Sequence, residues 1–322
     1  MPKRRHAARG LPVLLACLVA CAPQPQARPE VRAIPLNQSD GATPPPERLG
    51  RLRLLRAYEL RSSDRDFGGI SGAALDGERL LLLSDRSRLF ELAWSVDPPG
   101  GRSFSAVLTA ERQLAAAEGQ PLDAEALVLE PDHSLLVADE ESGRLLRFAA
   151  GSVEPQDPPR QLPGAFAEPH AANDGVETVA RLTDGSLLAI SEGAWAGGDL
   201  HAAVRLGEDG PVALRYRAAE GFSPTDADAA GEHLFVLERR VSLFGGWQAR
   251  VVAECLADLP DREGGVIEGE ELALISGPEL GENYEALAVR AVTDGSYRLV
   301  IVSDDNLNAL QRTQLLELRW VP

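Results

Sequence analysis

The sequence predicts an all-β chain built as a β-propeller of five or six blades, and three observations carry that prediction. The first is an internal repeat. Five segments align: Ile70-Ser71-Gly72-Ala73-Ala74-Leu75, Ala124-Glu125-Ala126-Leu127-Val128-Leu129, Val176-Glu177-Thr178-Val179-Ala180-Arg181, Thr225-Asp226-Ala227-Asp228-Ala229-Ala230 and Tyr284-Glu285-Ala286-Leu287-Ala288-Val289. Their second positions, Ser71, Glu125, Glu177, Asp226 and Glu285, recur at spacings of 54, 52, 49 and 59. That period suits a four-stranded blade with generous loops. The second observation is a hairpin signal in every repeat. A polar turn such as Asp76-Gly77, Asp184-Gly185 or Asp294-Gly295 is followed by another apolar strand ending in an acid, at Asp85, Asp139, Glu192, Glu238 and Asp304. The third is that no long pattern of 3.6-residue period competes. The strand over 51–60 precedes the first repeat and is expected to complete the last blade, which closes the ring and removes open sheet edges. A degenerate sixth blade, if there is one, falls in 251–276.

The chain ahead of the propeller reads as export signal and spacer. Lys3, Arg4, Arg5 and Arg9 form a basic start, and residues 11–19 are a short apolar run. That run is too short to span a bilayer, which takes about 20 apolar residues, and fits a secretory signal peptide. Leu18-Val19-Ala20-Cys21 resembles the lipobox of bacterial lipoproteins. The resemblance implies a signal peptide over 1–20, lipidation of Cys21, and an envelope protein held to a membrane by its lipid alone. Ala22, not Asp, follows the cysteine, which by the same resemblance implies the outer membrane, facing the periplasm or the surface. Residues 21–48 carry seven prolines and are expected to be a semi-extended tether, leaving 49–322 as the propeller, expected to be monomeric. With Cys17 in the signal and Cys21 lipidated, Cys255 stands alone. No intramolecular disulfide is then available, and the core holds by burial.

Charge narrows the function. The formal net charge is −17, and removal of the signal's four basic residues takes it to −21. Lys3 is the one lysine. So acidic a domain is a poor match for nucleic acid, and lysine-dependent Schiff-base or P-loop chemistry is excluded.

If the first strand of each repeat lines the channel, then Glu125, Glu177, Asp226 and Glu285 converge at one mouth. Crowded carboxylates repel, and their pKa values rise unless a cation neutralises them. Oxygen donors of this kind suit a divalent cation, Ca²⁺ above all. Asp304-Asp305-Asn306 gathers three oxygen-bearing side chains at one strand end, which makes Asp304 and Asn306 further candidate ligands. The alternative reading is that these acids cap strand ends and bond backbone amides of neighbouring blades. Both readings remain open on the sequence.

An ordered set of motifs then resembles the "esterase-like activity of phytase" family of exported bacterial proteins. It comprises Gly68-Gly69-Ile70-Ser71-Gly72, Ser84-Asp85-Arg86, Asp123-Ala124-Glu125-Ala126-Leu127, Asn173-Asp174-Gly175-Val176-Glu177, Pro224-Thr225-Asp226, Leu237-Glu238-Arg239-Arg240, Asn283-Tyr284-Glu285-Ala286-Leu287 and Ser303-Asp304-Asp305-Asn306. Together they span roughly residues 65 to 320. The resemblance implies a propeller in the periplasm or at the cell surface. A reaction is implied less firmly, because propellers host hydrolases, lactonases and binding proteins alike.

Candidate catalytic groups are few. Gly69-Ile70-Ser71-Gly72-Ala73 approaches the nucleophile-elbow pattern, but strand follows it where a helix is required. His133 and His233 fall in hairpin turns and read as solvated. His170 and His201 read as loop residues, and either is a candidate general base. Arg86 and Arg239 directly follow acidic strand ends, where each either pairs with the acids or clamps an anionic substrate group. Trp195 reads as a pocket wall or a cover over the channel mouth. Two functions follow. One is a divalent-metal-dependent hydrolase of a small anionic phosphate or carboxylate ester. The other is a non-catalytic binding or scaffolding propeller with a structural Ca²⁺ or no metal.

Overall fold

The structure, a computed structural model, describes residues 30–36, 44–94, 107–115, 122–140, 142–163, 175–194, 198–308 and 310–322. The expectations for the signal peptide, Cys21, His170, Asn173 and Trp195 lie outside these residues. Strands β1 (Val31–Pro35), β2 (Arg48–Leu49) and β3 (Leu52–Ser62) open the chain but belong to its last blade. Blade 1 is β4 (Ile70–Asp76), β5 (Arg79–Ser84), β6 (Arg88–Ala93) and β7 (Val107–Gln113). Blade 2 is β8 (Ala124–Leu129), β9 (Leu135–Asp139), β10 (Arg144–Phe148) and β11 (Arg160–Gln161). Blade 3 is β12 (Val176–Arg181), β13 (Leu187–Ala194), β14 (Leu200–Gly207) and β15 (Gly210–Arg217). Blade 4 starts with β16 (Ser223–Ala230), β17 (His233–Ser242) and β18 (Gly246–Cys255). The chain then lays β19 (Val266–Ile267) parallel to β15 and returns as β20 (Glu270–Ile275) to finish blade 4. Blade 5 is β21 (Asn283–Ala291), β22 (Tyr297–Asp304) and β23 (Gln314–Trp320), followed outward by β3 and β1.

The count is therefore five. Residues 251–276, where a sixth blade was sought, supply outer strands to blades 3 and 4 instead. Closure is as expected, with β3 antiparallel to β23. The spacer is shorter than its prolines suggest. Val31 and Leu36 are buried, and β1 pairs along β3. Pro35 is tolerated because β1 is the outermost strand, where a missing N–H breaks no interior ladder.

The first strand of each repeat, β4, β8, β12, β16 and β21, is innermost, and each adjoins the next around the channel. Burial is divided among the blade interfaces, the largest share lying between blades 4 and 5. Five apolar clusters each fill the space between two adjacent blades, for example Leu81, Leu83 and Leu89 of blade 1 against Leu127, Val137 and Phe148 of blade 2. Inner strands run close: a Cβ on Gly72 would sit 3.0 Å from the backbone nitrogen of Leu127. Small residues at this level let neighbouring blades approach.

Candidate metal centre at the channel mouth

Each inner strand carries a one-residue β-bulge against its hairpin partner. The bulged residues are Ser71, Glu125, Glu177, Thr225 and Glu285. A bulge leaves one residue outside the ladder and re-aims its side chain. The five bulges form one level of the channel mouth. Ladder pairing and backbone hydrogen bonds fix two further levels. One is Asp85, Glu140, Glu192, Arg239 and Asp304, just past the second strands; the other is Gly69, Asp123, Gly175, Ser223 and Asn283, opposite them. Eight of these fifteen positions are carboxylates and one is a guanidinium.

This register corrects the repeat alignment in blade 4. Thr225, not Asp226, is the counterpart of the glutamates. Its Oγ1 lies 3.3 Å from the Tyr284 carbonyl of the next blade, as Ser71 Oγ lies 2.5 Å from that of Ala124. Ser71 is thus engaged as an inter-blade donor. Asp226 is fully committed to backbone: its Oδ1 accepts from the Ala227 amide at 2.8 Å and its Oδ2 from the Leu287 amide at 2.6 Å. Its carboxylate bridges blades 4 and 5 rather than joining the ring. Asp139 and Glu238 are likewise displaced by one position. Asp139 accepts from Ser142, and Glu238 accepts from Tyr216 Oη at 2.6 Å and pairs with Arg250. Glu140 and Arg239 stand in their places.

Several of the acids that do converge are pushed toward their neutral form. Ligand oxygens of Asp123, Glu125 and Glu140 lie within 4.8 Å of one another. Burial pushes Glu125 well above the usual carboxylate range, and Glu177, Glu285, Asp123 and Glu140 push it further. Glu177 is 7% exposed and rises for the same reasons, desolvation first and then Glu192 and Glu140. Among the described residues neither Glu125 nor Glu177 has a hydrogen-bond or ion-pair partner. Asp304 is raised to about 7 by burial and by Glu285, although its Oδ1 accepts the Asn306 amide at 2.7 Å. Asp85 rises through burial, and its buried Oδ1 has no partner among the described residues. Glycine makes room for this crowding. A Cβ on Gly175 would lie 2.2 Å from Glu140 Cγ, and the Gly175 amide donates to Glu140 Oε1 at 3.3 Å.

In the other half of the mouth one guanidinium is shared by two acids, and burial still raises Glu285 although Arg239 opposes it. Arg239 donates to Asn283 Oδ1 at 2.7 Å, to Glu192 Oε1 at 2.9 Å and to Glu285 Oε1. Burial opposes its charge, but Glu285, Glu192 and Glu177 outweigh that and raise its pKa. Arg239 is therefore held by the acids and is not placed as a free anion clamp. Arg86 is exposed on the rim beside Asp85. Asn306 points away from the ring, its Nδ2 donating to Gln311 at 3.0 Å. The histidines also differ from expectation. His201 is a buried residue of β14 with Nδ1 3.2 Å from the Ser191 carbonyl. His233 packs edge-on to Tyr297 and Trp320. Asp123 and Glu140, missed in the sequence as site residues, are signalled by acids flanking the bulged strand and its partner.

The donor set, carboxylate oxygens throughout, suits a hard divalent cation. The model of the family described as "Phytase-like: Esterase-like activity of phytase" matches residues 65–307. No curated protein matches the chain. Among solved structures, virginiamycin B lyase from Staphylococcus aureus is similar at 7% identity and a TM-score of 0.44, covering 91% of this chain and 100% of its own. The PQQ-bound aldose sugar dehydrogenase from Streptomyces coelicolor shares 16% identity at a TM-score of 0.44, covering 85% and 99%. Glutaminyl cyclase from Myxococcus xanthus shares 14% at 0.43, covering 83% and 95%.

Proposed function

The chain belongs to the family described as esterase-like activity of phytase, and from that premise we propose that it is a divalent-cation-dependent hydrolase of small anionic phosphate or carboxylate esters. The observation that carries the reading is the cluster of Asp123, Glu125 and Glu140, with ligand oxygens inside 4.8 Å of one another. These three residues would hold the cation, Ca²⁺ being the best match to an all-oxygen set. Bound there, it would supply positive charge to polarise a phosphoryl or carbonyl oxygen and to acidify water. The chain's own groups do the rest. Asp304, raised to about 7, is matched to accepting a proton from an attacking water at neutral pH. Arg86 on the rim orients the anionic group of the substrate, while Arg239 stays with Glu192 and Glu285. Ser71 plays no nucleophilic part, since its hydroxyl serves the Ala124 carbonyl.

The same proposal places the protein at the cell envelope, held through lipid on Cys21. Hydrolysis of aryl phosphate, aryl acetate and lactone substrates, assayed with Ca²⁺ and with EDTA, tests the reaction. EDTA-sensitive turnover of at least one substrate is expected. Cation binding with no turnover of any of them overturns the hydrolase and leaves a binding propeller. For the anchor, Cys21→Ser is expected to release the protein from membranes, and continued retention contradicts it.

A further inference from the structure

The register sets Arg239 where four blades carry Asp85, Glu140, Glu192 and Asp304. A guanidinium in a ring of acids divides it. On one side Glu192 and Glu285 both contact Arg239, and Asn283 Nδ2 adds a hydrogen bond to Glu285 Oε1 at 2.7 Å. The Arg239 guanidinium also lies 5.7 Å from the Trp247 ring centroid, which fixes it from behind. On the other side Asp123, Glu125 and Glu140 cluster; Glu177, nine-tenths buried, has no hydrogen-bond or ion-pair partner among the described residues and feels both groups, raised by Glu192 and Glu140 and lowered by Arg239. We propose that Arg239 is a built-in counter-cation: its guanidinium takes the place of a second divalent ion between Glu192 and Glu285 and confines cation binding to the Asp123–Glu125–Glu140 side.

This inference rests on the cation reading above and adds the number of ions and what sets it. A guanidinium holds its charge at any working pH and its planar fork suits two carboxylates at once. The Glu192–Glu285 pair then has Oε1 of each carboxylate engaged without an ion. Removing the guanidinium leaves two buried acids with the same need as Glu125 and Glu177.

The test is calorimetric titration of CaCl₂ into the full-length protein freed of metal. The wild type is expected to bind one ion. Arg239→Gln is expected to bind two, Arg239→Lys to remain at one, and the second site of Arg239→Gln to vanish when Glu192→Gln is added. A single ion in Arg239→Gln overturns the inference and leaves the cation reading intact, whereas no binding to the wild type overturns the cation reading itself. A comparison within the wild-type background stands even if Arg239→Gln does not fold. Glu192→Gln is expected to change Kd by less than about tenfold and Glu125→Gln by about a hundredfold or more, as expected when a charged ligand rather than a satisfied neighbour is lost. Equal losses in the two overturn the inference.

Discussion

The two faces of the disc carry the same residue type and treat it in opposite ways. On the face of the inner-hairpin turns, three acids share one pattern of dedicated donors. Asp132, Asp184 and Asp294 each accept both the amide and the hydroxyl of a serine two residues on. Each also pairs with an arginine from the third strand of its own blade: Arg147, Arg205 and Arg319. Those hydrogen bonds hold Asp184 down at about 2. At the channel mouth, burial and mutual repulsion push Glu125, Glu177, Asp85 and Asp304 the other way. Paired acids build the turns, whereas unpaired buried acids cost stability and are retained where a ligand repays it. The repeats thus produce one face of paired acids and one of crowded acids, and the difference lies in who donates to each carboxylate.

That contrast can be broken in several ways. The largest effect expected is on adding Ca²⁺ to the cation-free protein near pH 8. Saturation a hundredfold above Kd contributes about 2.7 kcal/mol, a rise in Tm of about 5 °C for a chain of this size, read by differential scanning. No shift would place the mouth acids in the same class as those of the turns.

The next concerns pH. For a carboxylate whose folded pKa is raised, the folded state binds more protons, so stability is present below the unfolded value near 4 and is lost as pH rises. Asp304 and Asp228, both raised to about 7 chiefly by burial, set the window from about pH 4 to 7. The turn acids act in reverse: the stability from Asp184 is present above pH 4 and is lost as pH falls toward 2. Cation-free protein is therefore expected to melt several degrees lower at about pH 8 than at about pH 5, and saturating Ca²⁺ is expected to narrow that gap. A higher Tm at pH 8 without cation would refute the raised values of Asp304, at the mouth, and Asp228, at the opposite end of the inner strands.

A sharper comparison sets Asp226 against Glu125. Asp226→Asn replaces one acceptor oxygen with a donor facing a backbone amide. It is expected to cost about 1–3 kcal/mol in denaturant unfolding and to leave Ca²⁺ affinity unchanged. A hundredfold loss of affinity would return Asp226 to the metal site. The smallest effect belongs to the turn face. The Arg205–Asp184 pair is partly solvent-exposed, so Arg205→Ala is expected to cost no more than about 1 kcal/mol, again by denaturant unfolding.

Much of this was legible in the sequence. Glu125, Glu177, Glu285 and Asp304 stand at the mouth, as the repeat alignment with the first strands innermost predicts, and the strand ahead of the first repeat closes the ring. The errors of register share one physical cause. A β-bulge inserts a residue that strict alternation does not record. In blade 4 the attraction of an acid drew the alignment onto Asp226, although Thr225 occupies the bulge. The same one-residue shift put Asp139 and Glu238 in the places of Glu140 and Arg239. Composition misled in the spacer as well. The prolines around Val31, Ile34 and Leu36 hide an alternating edge strand. Nor does a sequence reveal that His233 starts a strand among aromatics instead of lying in a solvated turn.

The central claim is that the mouth acids bind a divalent cation through Asp123, Glu125 and Glu140. The most direct measurement is Ca²⁺ titration, by calorimetry at neutral pH, of the wild type beside Glu125→Gln/Glu140→Gln, with circular dichroism confirming that both are folded. Saturable binding to the wild type that disappears in the folded double variant is the predicted result. Absence of binding to the wild type, or equal binding to both, would contradict it.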